Sequence, residues 1–247
     1  MIKLRPFIKE DSDWTKKVLN PKFFKNNNFD SRIRKKLLEI ALDFYKGLDV
    51  KFKLKDVWLT GSNVSYNYTK YSDLDVHLMA DFDSIPIDND ILKQLFTAKK
   101  SLWNDAHDIT IKGHEVELYV QDTNEPHIAN GIYSLTKGGW VEKPTYVEPQ
   151  TSKELVKEKA DKIMAKIDRL ERSFRLSMEK DGTTIYQEAK KLKDAIVSMR
   201  KEGLKTPDGM FSLENLVFKE LRNNGYMGKL LDLLNISYDA IYTENKK

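Results

Sequence analysis

The sequence predicts an α/β (α+β) domain with a mixed, mostly short-stranded sheet, followed by an α-helical domain. Three observations carry this. Short apolar runs at 57–59 and 74–78 have strand character, the second alternating with polar residues; from 152 onward apolar residues recur at helical spacing; and between these regions Gly138, Gly139, Pro144 and Pro149 interrupt both patterns. The boundary is expected near 145, giving domains 1–145 and 146–247. A chain of 247 residues is long enough for each to bury its own core.

The elements follow in order. Lys25, Asn26, Asn27 and Asn28 mark a loop, after which Asp30 or Ser31 caps a helix. Ile33, Leu37, Leu38, Ile40, Ala41 and Phe44 form its apolar side, Arg32, Arg34, Lys35 and Lys36 its wet side, and Gly47 its end. Val57, Trp58 and Leu59 then make a strand that stops at Thr60-Gly61-Ser62. In the next strand the period of two puts Asp73, Asp75 and His77 on one face and Leu74, Val76 and Leu78 on the other. A helix is expected over 89–103. Ile109 and Ile111 lead through Lys112-Gly113-His114 into Val116, Leu118 and Val120 as a hairpin, with Glu115, Glu117 and Tyr119 opposite the aliphatics. In the helical domain, Leu155, Ala160, Ile163, Ile167, Leu170 and Phe174 lie on one long helix that Gly182 is expected to end. A second helix is expected over 185–199, before Gly203. Pro207-Asp208-Gly209 makes a turn, and Ser212 with Asn215 opens the last helical section.

Composition narrows the function classes. With 40% hydrophobic and 32% charged residues the chain is of the soluble globular type. Forty-two Lys plus Arg against 38 Asp plus Glu leave a net charge of +4, which permits a nucleic-acid partner without arguing for one. Zero cysteines exclude disulfides, thiol catalysis and Cys-ligated zinc, and with no apolar run of membrane-spanning length and no signal-type stretch in MIKLRPFIKEDSDW, a cytoplasmic location is expected.

The chemistry is concentrated in 60–76. Gly61 lets the backbone approach phosphate oxygens without a Cβ, and Ser62 can donate a hydroxyl. Asp73 and Asp75, two residues apart on a strand, project side by side and suit hard, oxygen-seeking cations such as Mg²⁺. Two such ions about 3.5–4 Å apart stabilise the attacking and leaving oxygens of an in-line phosphoryl displacement. Lys70, Lys137 and Lys143 are candidates to neutralise triphosphate charge, and Tyr66, Tyr68 and Tyr71 could stack on a base or simply pack. His77 and His127 are candidate contacts to phosphate or acceptor, though single histidines more often serve as structural hydrogen-bonders. Arg172, Arg175 and 190–193 could form a basic strip, yet lysines on amphipathic helices are usually a solvated face.

Gly61-Ser62, a spacer and Ser72-Asp73-Leu74-Asp75 resemble the motif of the nucleotidyltransferase superfamily that includes DNA polymerase β, CCA-adding enzymes, aminoglycoside nucleotidyltransferases and the bacterial minimal nucleotidyltransferases. Those groups often carry a second glycine after the Gly-Ser; here Tyr66 stands in its place. The segments VELYVQDTNEPH (116–127), Gly131-Ile132-Tyr133-Ser134 and SLENLVFKELRNNGY (212–226) resemble uncharacterised predicted nucleotidyltransferases of tailed bacteriophages. The resemblance implies a phage origin with action in the host cytoplasm, and transfer of a nucleoside monophosphate from a nucleoside triphosphate, ATP among them, to a hydroxyl. It implies Mg²⁺, with Mn²⁺ as a substitute, on Asp73 and Asp75, and triphosphate on Gly61, Ser62, Ser72 and Lys70. It implies a third carboxylate on a neighbouring strand, Glu117 by position with Glu115 as the weaker candidate, that helps hold the catalytic metal and draws the acceptor's proton. The acceptor stays open between RNA or tRNA, a host protein and a small molecule. The alternative is a catalytically inactive nucleotide-binding relative.

Overall fold

The computed structural model describes residues 15–127, 129–176 and 182–243. The N-terminal stretch read above for signal character, and the link just before Gly182, lie outside the described residues. The chain divides into two compact units, Asp13–Val147 and one built on Glu148–Lys247.

The first unit opens with a two-stranded hairpin, β1 (Phe24–Lys25) and β2 (Asn28–Phe29). Its turn residues Asn26 and Asn27 both have positive φ, the conformation that two-residue hairpins need and asparagine tolerates. The expected loop is thus a tight turn. Asp30 caps helix α1 (Ser31–Lys46) by accepting the N–H groups of Arg32 and Ile33, and Gly47 closes it.

A six-stranded mixed sheet follows, built from β3 (Asp56–Thr60), β4 (Leu74–Ala80), β5 (Thr110–Ile111), β6 (His114–Asp122), β7 (Ile132–Ser134) and β8 (Gly139–Glu142), in spatial order β5-β6-β4-β3-β7-β8. Only β4 and β6 pair in parallel. Helix α2 (Asn89–Ala106), capped by Asp88, supplies the crossover between them, as parallel neighbours require. The β5–β6 turn places Lys112 and Gly113 at positive φ, in keeping with the expected hairpin.

The core lies on one sheet face. Leu74, Val76 and Leu78 of β4, Leu118 of β6 and Leu59 of β3 pack with Leu37 and Phe44 of α1 and with Leu92 and Phe96 of α2. The stretch at 138–149, read from sequence only as a break, contributes β8. Gly138 at φ +72° makes the turn from β7, and Trp140 of β8 stacks on Phe24 and packs against Tyr133.

The second unit comprises α3 (Lys153–Leu176), α4 (Gly182–Lys205), α5 (Leu213–Asn223) and α6 (Tyr226–Tyr242). Two glycines depart from expectation here. Gly182 opens α4, and a Cβ there would sit 2.9 Å from the Ser237 carbonyl oxygen of α6. Gly203 lies inside the same helix, where a Cβ would meet Glu214 and Ser212 at 2.6 Å; close helix packing is its reason for being glycine. Ser212 caps α5 through the Asn215 N–H. Lys229 of α6 reaches Asp168 at 2.7 Å and Glu171 at 2.6 Å on α3. Among the described residues no helix is long and apolar enough to cross a membrane.

Candidate active site

The sheet face opposite the core carries the acids. Register sets Asp75 between two neighbours: it opposes Thr60 of β3 on one side and lies beside Glu117 of β6 on the other. Paired residues in adjacent strands point the same way, so Asp75 and Glu117 share a face. Leu74, Val76 and Leu118 are fully buried on the other face. Asp73 immediately precedes β4, at the strand entrance. Glu115 pairs with Thr110 of the short edge strand.

The loop after β3 closes onto this acid pair. Gly61 adopts φ +79°, and a Cβ there would lie 2.0 Å from the Asp75 carboxylate oxygen Oδ2. Both backbone angle and space therefore demand glycine. A single 3₁₀ turn, Ser62–Val64, follows.

Ser62 and Ser72, the motif residues on either side of the spacer, are joined directly. The Ser62 hydroxyl donates to Ser72 Oγ at 2.7 Å, and the Thr69 N–H donates to the same oxygen at 2.9 Å. Asn63, fully buried, extends the clasp: its Nδ2 donates to the carbonyls of Ser72 (3.0 Å) and Asp73 (2.9 Å), and its Oδ1 accepts from Asn20 Nδ2 at 2.8 Å. His114, also buried, donates from Nδ1 to the Ser72 carbonyl at 2.6 Å, which leaves Nε2 to accept from Lys22 Nζ at 3.2 Å. Burial, then Lys22, hold the His114 pKa below its ordinary value against the opposing pull of the Ser72 carbonyl. Asn63 and His114 were missed in the sequence. Their signal was a polar side chain in an otherwise apolar neighbourhood, but their partners are distant in the chain.

The other candidates sort as follows. His77 is held between Gln121 Oε1 (2.6 Å to Nδ1) and Thr60 Oγ1 (3.2 Å to Nε2), and burial pushes its pKa down to about 4. It is a neutral hydrogen-bonding residue of the acidic face. His127 packs its ring on Trp58 at 4.6 Å, and burial lowers its pKa. Lys70 Nζ lies over the Tyr71 ring at 4.9 Å. Lys137 sits 3.6 Å from the buried Asp56, which also accepts from Ser134 Oγ and Trp58 Nε1. In the helical unit Arg175 pairs with Glu171 at 2.6 Å.

Glu117 has a cation at hand, Lys100 of α2, with Nζ at 3.8 Å. Among the described residues no three His, Asp or Glu side chains gather into a group that could hold a metal ion, the trio Asp73, Asp75 and Glu117 included. Mg²⁺ characteristically takes one or two carboxylates and completes its shell with water and phosphate oxygens, so an open pair on adjacent strands is a donor set of the kind it uses.

Fold and site together define a mixed-sheet α/β unit with a glycine loop closed on an acidic strand pair. No protein-family model matches the chain, and no curated protein matches it. Among solved structures, spectinomycin adenyltransferase AAD(9) from Enterococcus faecialis, crystallised with ATP and spectinomycin, aligns over 84% of this chain and 99% of that chain, at 13% identity and a TM-score of 0.23.

Proposed function

We propose that the acidic face transfers a nucleoside monophosphate from a nucleoside triphosphate to a hydroxyl acceptor and releases pyrophosphate. The observation that carries this reading is the Asp75–Glu117 pairing with Gly61 closed against the Asp75 carboxylate. The motif supports it, since Gly61-Ser62 and Ser72-Asp73-Leu74-Asp75 meet in one clasp.

The pair Asp75 and Glu117, with Asp73 at the strand entrance, would hold Mg²⁺ or Mn²⁺. When bound, the ions supply positive charge for the phosphate oxygens of the displacement. Gly61 keeps the loop backbone open to the triphosphate, Ser62 and Lys70 would contact it, and the buried Ser72 would brace Ser62 from behind. The acceptor oxygen attacks the α-phosphorus and loses its proton to Glu117; the bond from that phosphorus to the bridging oxygen breaks, and pyrophosphate leaves with the electron pair. RNA, protein and small molecules each offer such a hydroxyl.

A specific observation favours a second reading, a nucleotide-binding relative without turnover: the Lys100 ammonium already faces Glu117. One experiment separates the two. The protein is incubated with each labelled nucleoside triphosphate, Mg²⁺ or Mn²⁺ and a host-cell lysate, beside an Asp73→Ala, Asp75→Ala double variant. Label entering RNA, protein or a small molecule only with the intact acids supports transfer and identifies the acceptor class. Triphosphate binding with no label transferred sinks it in favour of the binding relative.

A further inference from the structure

A cleft of the sheet unit, about 650 Å³, is on the other side of the sheet from the acids. Tyr133 of β7 pairs with Leu59, a core-face residue, and Trp140 of β8 pairs with Tyr133, so the cleft floor belongs to the helix-bearing face. Asp75 and Glu117 lie on the reverse side. The volume falls within the range that small-molecule sites occupy.

The lining has a distinct chemistry. Two cations, Arg34 and Lys143, border the cleft with no carboxylate among its lining residues, while a third, Lys137, is paired with Asp56 at 3.6 Å. Arg34 is held in place by donating from Nη1 to the Leu135 carbonyl at 2.6 Å. Lys143 has no ion-pair partner among the described residues. Trp140 and Tyr66, both partly exposed, offer flat rings, and Asn28 offers a side-chain amide. Unbalanced positive charge beside aromatic rings is complementary to an organic anion that carries a planar ring.

We propose that this cleft is a second ligand site and takes a ring-bearing anion of the nucleoside monophosphate class. The site is independent of the transfer reaction proposed above. Tyr66 gives it a link to that region, because it lies two residues beyond the Ser62–Val64 turn.

The test is calorimetric titration of the full chain, in EDTA, with each of the four ribonucleoside monophosphates, with adenosine and with inorganic phosphate. At least one monophosphate is expected to bind without metal, with adenosine and phosphate each weaker by about tenfold or more. Lys143→Glu is expected to weaken that binding by about tenfold with an unchanged thermal melt, and Asp75→Asn to leave it intact. The proposal is overturned if no monophosphate binds in EDTA, if Lys143→Glu leaves binding unchanged, or if Asp75→Asn abolishes it. Loss of nucleotidyl transfer in Asp75→Asn with this binding retained separates the fate of the two readings.

Discussion

The two faces of β4 and β6 are made by the same residues taken alternately, and they differ in almost every physical respect. One face holds Leu74, Val76, Leu78 and Leu118, all fully buried under α1 and α2. The other holds Asp75, His77, Glu117 and Tyr119, partly exposed and engaged in polar contacts. One register therefore serves both purposes: packing the aliphatics in place also aligns the acids. A slip of one residue would exchange the faces and lose core and site together.

That comparison can be broken from either side. The largest effect is expected at Asp75. Asp75→Asn should reduce nucleotidyl transfer by on the order of 10³-fold, about 4 kcal/mol in the barrier, while initial rates and urea melts of one preparation show stability nearly unchanged. Leu118→Ala, on the opposite face of the neighbouring strand, should do the reverse and lower unfolding free energy by about 2–5 kcal/mol. If the two faces are separable, its transfer rate at low temperature stays near that of the parent.

Gly61→Ala tests the closure of the loop on the acids. The substitution meets both a positive φ and the Asp75 carboxylate, and should cost about 1–3 kcal/mol in denaturant unfolding and depress transfer as well. A variant that unfolds and reacts like the parent would show that the loop tolerates a Cβ by moving.

A smaller effect is expected from pH. His114 is held neutral in the folded chain, with its pKa below the ordinary 6.5. The unfolded chain therefore takes up the proton more readily, so the stabilisation is present above about pH 6.5 and declines as pH falls below it. Urea midpoints at pH 7.5, 6.5 and 5.5 should fall more steeply for the parent than for His114→Gln. The smallest effect is expected at Glu115, whose register partner is Thr110. Glu115→Gln should stay within about 0.5 kcal/mol of the parent and transfer at the same rate; a large loss would move the third-carboxylate role from Glu117 to Glu115.

What could be read from the sequence was local. Alternation in 74–78 and 116–120 gave strands with the correct inward faces, and Asp30 and Gly47 bracketed α1, because period and capping act within a few residues. What escaped was decided at a distance. β7 is three residues long and β8 follows a glycine turn, so neither has enough alternation to stand out. Gly203 looked like a helix stop because its reason, contact with Ser212 and Glu214, belongs to another helix. The Asn63 and His114 clasp joins residues from three parts of the chain, and a choice between Glu115 and Glu117 beside Asp75 depends on a register that only pairing sets.

The parallel pairing of β4 with β6 also orders events in time. Strands β3 and β4 meet antiparallel and are near in sequence, whereas β6 reaches β4 only after α2 and the β5 turn have been made. Closing the larger loop is the slower step. The Gly61 loop and Asp75 are therefore expected to form before Glu117 joins them. The charged centre is born incomplete, and pulse-labelled hydrogen exchange during refolding should find the β3–β4 amides protected ahead of those between β4 and β6.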